Sequence, residues 1–164
     1  MNFLFVDNAC YKSYTYHTLR TEALGGSEAS LLRVAKVLAL RGHDVSVLQH
    51  TDAHRRAGLV EGIRHVAFES EFPSPDVVVH CRTGLFIDGW RDGFPNARHV
   101  MWTQDFFTAE STEGLNNEEI ICLSSAHKTQ IEKVLAANNV QPKAIHTIAN
   151  PVEVDGMRYP IERT

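Results

Sequence analysis

Apolar positions along the chain fall into short runs separated by polar segments that contain glycine, proline, asparagine or serine, and the runs carry two different periods. The first run, Asn2 to Val6, is rich in strand formers, is too short for a typical helix and ends at Asp7 and Asn8, which predicts a buried first strand. Ala9 to Leu24 is polar and aromatic, with Tyr11, Tyr14 and Tyr16 but no sustained period, and reads as a long surface loop. After Gly25 and Gly26 the period becomes helical. Leu31, Leu32, Ala35, Leu38 and Ala39 share one face, Ser27 is placed to cap the start and Gly42 to close the end.

Asp44 to Gln49 (DVSVLQ) nearly alternates and follows the helix after only Gly42 and His43. This is the strand, helix, strand unit of a parallel sheet, with a right-handed crossover. Further apolar runs at Gly62 to Phe68, Asp76 to His80, Ala97 to Trp102, Glu119 to Leu123 and Ala144 to Ile148 predict successive strands. Between the last two, Ser125 to Asn138 places Ala126, Ile131, Val134 and Leu135 on one helical face. The alternation predicts an α/β fold: a doubly wound, mainly parallel sheet with helices on both faces.

Composition narrows the function classes. With 164 residues, 43% hydrophobic and 22% charged, the chain has the size and make-up of one soluble globular domain. A net charge of -4 leaves no basic surplus for nucleic-acid phosphates or an anionic lipid surface, so no nucleic-acid partner is expected. The start MNFLFVDN has no positive leader region, and no apolar run approaches the ~18 residues of a membrane span; a cytoplasmic location is expected. Cys10, Cys81 and Cys122 are odd in number and far apart, which points to reduced, packing thiols.

Candidate chemistry lies where strands end. Gly25, Gly26 and Ser27 open a helix, where glycine lets backbone approach a ligand and free N–H groups face a phosphate. The same residues also suit a plain tight turn, and Glu28 suits the positive helix start without touching a ligand. His80, Cys81 and Arg82 end the DVVVH strand, where open α/β sheets place their ligand crevice, although packing of His80 and Cys81 and a surface ion pair of Arg82 are the plainer account. His50 and His54 are four apart but lie in a polar loop without a completing carboxylate or cysteine pattern, so no metal and no cofactor is expected.

The run GGSEASLLRVAKVLALRGHDVSVL resembles the first helix and second strand of GT-B glycosyltransferases, family 4 of the retaining enzymes in particular. A second stretch, IICLSSAHKTQIEKVL followed by KAIHTIANPVEV, resembles that family's serine-ended strand, its following helix and the segment leading towards the donor domain. The resemblance spans nearly the whole chain. It implies a Rossmann-like, acceptor-side domain over residues 1–150 and a linker over 151–164 towards a C-terminal domain that binds the nucleotide-sugar donor. The nucleotide-sugar is then a substrate, and the acceptor is a sugar, a lipid or a protein, with peripheral membrane contact of the whole protein compatible with a lipid.

In the same comparison Asn150 sits beside the interdomain cleft, although Asn150 and Pro151 also make an ordinary turn signal. The stretch HVMWTQDFF aligns with the loop where many family members place a histidine facing the donor sugar; here Gln104 or Asp105 takes that position. Gln104 suits a sugar hydroxyl and Asp105 suits a hydroxyl or a base role, while a helix cap or loop carboxylate is the plainer account of Asp105. Nothing in the chain resembles the donor domain's glutamate-containing nucleotide region, so this chain alone is expected to fold without turning over. Two other classes compete. A nicotinamide or flavin oxidoreductase would need a G-x-G-x-x-G turn after the first strand, which is missing. A noncatalytic carbohydrate- or nucleotide-binding module shares the fold.

Overall fold

The computed structural model describes residues 1–10, 12–49, 58–67, 71, 73–82, 87–105 and 107–151. The strands are β1 (Asn2–Asp7), β2 (Asp44–Gln49), β3 (Gly58–Val60), β4 (Ile63–Ala67), β5 (Val77–Cys81), β6 (Arg98–Trp102), β7 (Glu119–Cys122) and β8 (Ala144–Thr147). The helices are α1 (Thr18–Thr21), α2 (Gly26–Leu40), α3 (Ile87–Gly93) and α4 (Ser125–Ala137), with a 3-10 turn at Glu110–Thr112. The strands form one sheet in the order β3-β4-β2-β1-β5-β6-β7-β8, parallel except where β3 runs against β4. This is the doubly wound, Rossmann-like architecture that the alternation predicts.

Side chains of alternate strand residues build two layers of core. Phe5, Val45, Val47, Val77 and Val79 point to the face that α2 covers with Leu31, Leu32 and Ala35. Leu4, Val6, Leu48 and Val78 point the other way, towards Trp90 of α3, and Met101, Ile120 and Cys122 pack with Ile131 and Leu135 of α4. Helices therefore lie on both faces. On the α2 face, a groove of about 550 Å³ runs over the β5 to β8 half of the sheet, lined by Phe5, Val34, Val79, Trp102 and Ile121 among others. Glu119 at the start of β7 ties that half together, bonding Arg98 of β6 and Lys143 and His146 around β8.

Both long helices end in the same way. At α2, Gly42 takes φ 82°, its N–H donates to the Ala39 carbonyl and that of His43 to Leu38, which satisfies carbonyls the helix leaves open. At α4, Asn139 takes φ 57° and the same pair of bonds runs from Asn139 to Ala136 and from Val140 to Leu135. Glycine suits the first position because it has no Cβ, and asparagine, at the second, is among the residues that tolerate this backbone best after glycine.

Several expectations need correction. The Ala9 to Leu24 stretch is not a surface loop: Cys10, Ser13, Tyr14, Thr15, Tyr16 and Thr18 are buried, and α1 lies within it. Ser27 does not cap α2, whose cap residue is Gly25 with no side-chain bond. β3 and α3 were not foreseen, and the strand expected at Gly62 to Phe68 occupies Ile63–Ala67. Phe68, His50, His54 and the linker from Val152 onward lie outside the described residues. The three cysteines are buried.

Two buried histidines give the fold a pH dependence. Burial holds His65 down to about 4, and burial together with the neighbouring His99 and Arg91 holds His80 down to about 3. Both are neutral in the folded state near pH 7, whereas the unfolded chain protonates them near pH 6.5. Stability is therefore full above pH 6.5 and falls below it, by on the order of 2 kcal/mol per histidine at pH 5. Urea denaturation at pH 7.5 and pH 5 is expected to show a midpoint that drops at the lower pH, and a drop that shrinks in His65→Phe.

Candidate functional site

Strand order reverses between β1 and β5: the chain moves one way from β1 through α2 to β2, and the other way from β5 onward. In open α/β sheets the crevice beyond the carboxyl ends of the strands at such a point is where ligands bind. Asp7 ends β1 and Arg82 follows β5 here. Asp7 is 1% exposed, and Arg82 reaches it with Nη2 at 2.9 Å from Oδ1 and 2.6 Å from Oδ2, while Nε lies 3.2 Å from Oδ1. The second Asp7 oxygen also accepts from the Tyr14 hydroxyl at 2.6 Å. Arg82 Nη2 lies 3.0 Å from Glu28 in the first turn of α2. One cation thus sits between two carboxylates, and the group carries a net negative charge.

The backbone of Arg82 shows what this arrangement demands. Its φ is 72°, in the left-handed region that costs an ordinary L-residue about 1 kcal/mol or more. The peptide remains anchored, because the Arg82 N–H donates to the Trp102 carbonyl at 2.9 Å and so extends the β5 to β6 ladder. Strain at a residue that glycine would suit better marks a position held for its side chain. Burial works against the charge of Arg82, but the bonds and charge of Asp7, with Glu28 beside it, raise its pKa above the ordinary arginine value. Burial pushes the Tyr14 hydroxyl up, and Asp7 adds to this; the buried Cys81 thiol is likewise raised, first by burial and then by Asp7.

The connection between β1 and α2 forms one wall of the crevice. Gln49, the last residue of β2, accepts from the Tyr14 N–H at 3.0 Å and donates to the Tyr14 carbonyl at 2.9 Å. Its amide replaces the strand partner that this irregular backbone lacks. The connection leads to Gly25 and Gly26, which are exposed. A Cβ on Gly25 would collide with the Glu28 carboxylate, whereas one on Gly26 would meet no atom within 4 Å. Ser27 is half-buried and makes no capping bond.

Two strands away, beyond β6 and β7, lies a pocket of about 490 Å³ lined by Gln104, Asp105, Leu123, Ser124, Ala126, His127 and Gln130. Gln104 is 9% exposed and neither atom of its amide has a partner. Asp105 is exposed at a bend. Ser124 caps α4 by accepting from the His127 N–H at 3.1 Å. The structure therefore brings Gly25, Glu28 and Arg82 together at the switch point and places Gln104 and Asp105 in a second pocket. Asn150 joins neither group: it follows β8, three strands from β5, which at ~4.8 Å per strand is about 14 Å away. His80 is not part of the crevice; it is buried and bonds His99, its Nε2 3.1 Å from Nδ1 of that ring.

Asp7, Tyr14, His127 and Gln130 were not singled out from the sequence. Asp7 carried a signal, an acidic residue ending a buried strand; the others carried none, because their partners are set by tertiary structure. Among the described residues, no group of three or more histidines, cysteines, aspartates or glutamates is arranged to hold a metal ion. No helix among them is long and apolar enough to cross a membrane.

Arg82→Ala strands the Asp7 carboxylate in the interior and is expected to cost on the order of 3–5 kcal/mol in urea denaturation. Arg82→Gly loses the same ion pair but relieves the backbone, so it should be less destabilised than Arg82→Ala by about 1 kcal/mol. Equal losses would show that the left-handed backbone carries no strain.

Compared with family models, with curated proteins and with solved structures, the chain matches none of them.

Proposed function

We propose that this chain is the N-terminal, acceptor-side domain of a GT-B glycosyltransferase of the family 4 type, which moves a sugar from a nucleotide-sugar to an acceptor hydroxyl. Residues 1–150 form the domain, and residues 151–164 lead towards a second domain that holds the nucleotide. The observation that carries this reading is Arg82, kept in a left-handed backbone at the switch point of the sheet and facing the start of α2 across Glu28. The side chain kept there pairs with Asp7 and Glu28, which glycine could not do. It fits the family's geometry, in which the helix after the first strand opens onto the interdomain cleft.

As the glycosidic bond to the donor breaks, negative charge grows on the departing diphosphate. The first N–H groups of α2, exposed at Gly25 and Gly26, present the positive end of a 15-residue helix to that charge without needing to reorganise. Arg82 is already balanced by Asp7 and Glu28, so its part is to fix the crevice rather than to bind phosphate by itself. Gln104 and Asp105 offer hydrogen-bonding groups to a sugar on the other side of the cleft. The net negative charge of the Asp7, Glu28 and Arg82 group also favours a second reading, a noncatalytic module that binds uncharged sugars.

Gly26→Val in the intact polypeptide separates these readings. Gly26 is exposed and a Cβ there meets no atom within 4 Å, so the thermal midpoint should stay within about 2 °C of the parent, since surface changes of this kind stay within ~0.5 kcal/mol. Release of nucleoside diphosphate from a panel of UDP-, GDP- and ADP-sugars should fall at least about tenfold, a loss of ~1.4 kcal/mol in transition-state stabilisation. Equal loss of folding and transfer would sink the α2 role. Sugar binding without turnover of any donor by the intact parent would replace the enzyme by the binding module.

A further inference from the structure

The groove of about 550 Å³ on the α2 face lies within the ~300–1,000 Å³ typical of small-molecule sites. Val34 and Leu38 of α2 form one wall, the strands from β1 to β8 form the floor, and Ile148 stands at the far side. Of the fourteen described residues that line it, eleven are apolar. The three polar ones, Arg98, Glu119 and His146, form a single cluster, because the Glu119 carboxylate bonds both of the others and also Lys143 beside them.

Width decides what kind of group can enter. On the floor, Val77, Val79, Val100 and Trp102 are only 8%, 8%, 7% and 5% exposed. A helix with its side chains is about 10–12 Å across, and a face shaped to receive one would leave this floor open. A floor so nearly closed admits a thin, unbranched chain instead. Its length suits one as well: from β1 to β8 the groove crosses four strand spacings, ~19 Å at ~4.8 Å each. Charge decides the other end of the ligand. Arg98, Lys143 and His146 share the one Glu119 carboxylate while their side chains remain 61%, 67% and 48% exposed. Two permanent cations against one anion leave a positive balance, and arginine and lysine carry more donors than a single carboxylate takes up.

We infer that this groove binds a long-chain fatty acid, its apolar chain lying across the strands and its carboxylate beside Arg98 and Lys143. The chain gains burial against the apolar lining, and the head answers the positive balance. A neutral chain of the same length satisfies only the first of these demands. A small hydrophilic anion satisfies only the second, and leaves the apolar floor as it is. The charged end lies at Arg98 and Glu119, the first residues of β6 and β7, opposite the edge that holds the switch-point crevice. The site is therefore separate from the crevice and does not rest on the transferase reading.

Titration of the intact polypeptide with palmitate below its micelle concentration tests this, with hexadecanol as a neutral probe of the same length and the fluorescence of Trp102 on the floor as the readout. Palmitate should bind about tenfold or more tighter than hexadecanol, the gain expected of a hydrogen bond to a charged group. Arg98→Gln should remove most of that difference and leave hexadecanol binding unchanged. Ile121→Trp, at a half-buried position in the groove, should abolish binding of both probes while the thermal midpoint holds. Leu59→Ser, at an exposed position on β3, should change neither. Absence of palmitate binding, equal binding of the two probes, or palmitate binding that survives in Ile121→Trp would overturn the inference. If another part of the intact polypeptide or a second copy fills the groove, the parent binds neither probe and Ile121→Trp lowers the thermal midpoint or the oligomer mass, which overturns it as well.

Discussion

The Asp7 to Arg82 ion pair is the contact around which the carboxyl edge of the sheet is organised. Asp7 is buried to a degree at which an unpaired carboxylate would be neutralised or expelled, and it satisfies both oxygens with Arg82 and Tyr14. That need fixes three things at once. It draws Arg82 into a left-handed backbone, holds the β1 to α2 connection against the sheet through Tyr14, and sets the direction from which Glu28 and the start of α2 meet the crevice. A guanidinium suits this task better than an ammonium, because its planar fork addresses both carboxylate oxygens and still reaches Glu28.

The two halves of that edge differ in chemistry. At the switch point, one buried cation holds two carboxylates in place. Over β6, β7 and the start of α4, several buried polar atoms have no partner, with Gln104 the clearest instance. A charged centre thus lies beside a pocket that holds unpaired hydrogen-bonding groups.

Most of the fold was legible in the chain, and the reason is burial on both faces. Strands such as DVVVH read as continuous apolar runs because neither side meets water, and β2 has the bounds that its pattern predicts. β3 escaped notice because three residues carry no period. α3 did so because Gly89 and Gly93 lower helix propensity, while the packing of Ile87 and Trp90 stabilises it nonetheless. The Ala9 to Leu24 connection was misread for a different reason. Its serines and threonines look solvated, yet they are buried by bonds to one another and to Gln49, which lies 35 positions away from Tyr14. Arg82 was visible as a strand-end residue, but its partner Asp7 is 75 positions distant, and only the β1 to β5 pairing brings the two together. For the pocket, Gln104 and Asp105 stood out through position, whereas His127 and Gln130 became notable only once their unpaired atoms could be seen.

The double attachment of Tyr14 couples the crevice to the order in which the chain assembles. Asp7 and Gln49 are register partners at the ends of β1 and β2, and Tyr14 needs both. Those ends become neighbours only after α2 has crossed over and the two parallel strands have aligned, a non-local event that is slow relative to helix formation. A slip of one residue in β2 would turn Gln49 to the opposite face and leave the Tyr14 backbone without its amide. The wall of the crevice therefore closes only on a correctly aligned sheet, and a misregistered chain is left without the site as well as without the core.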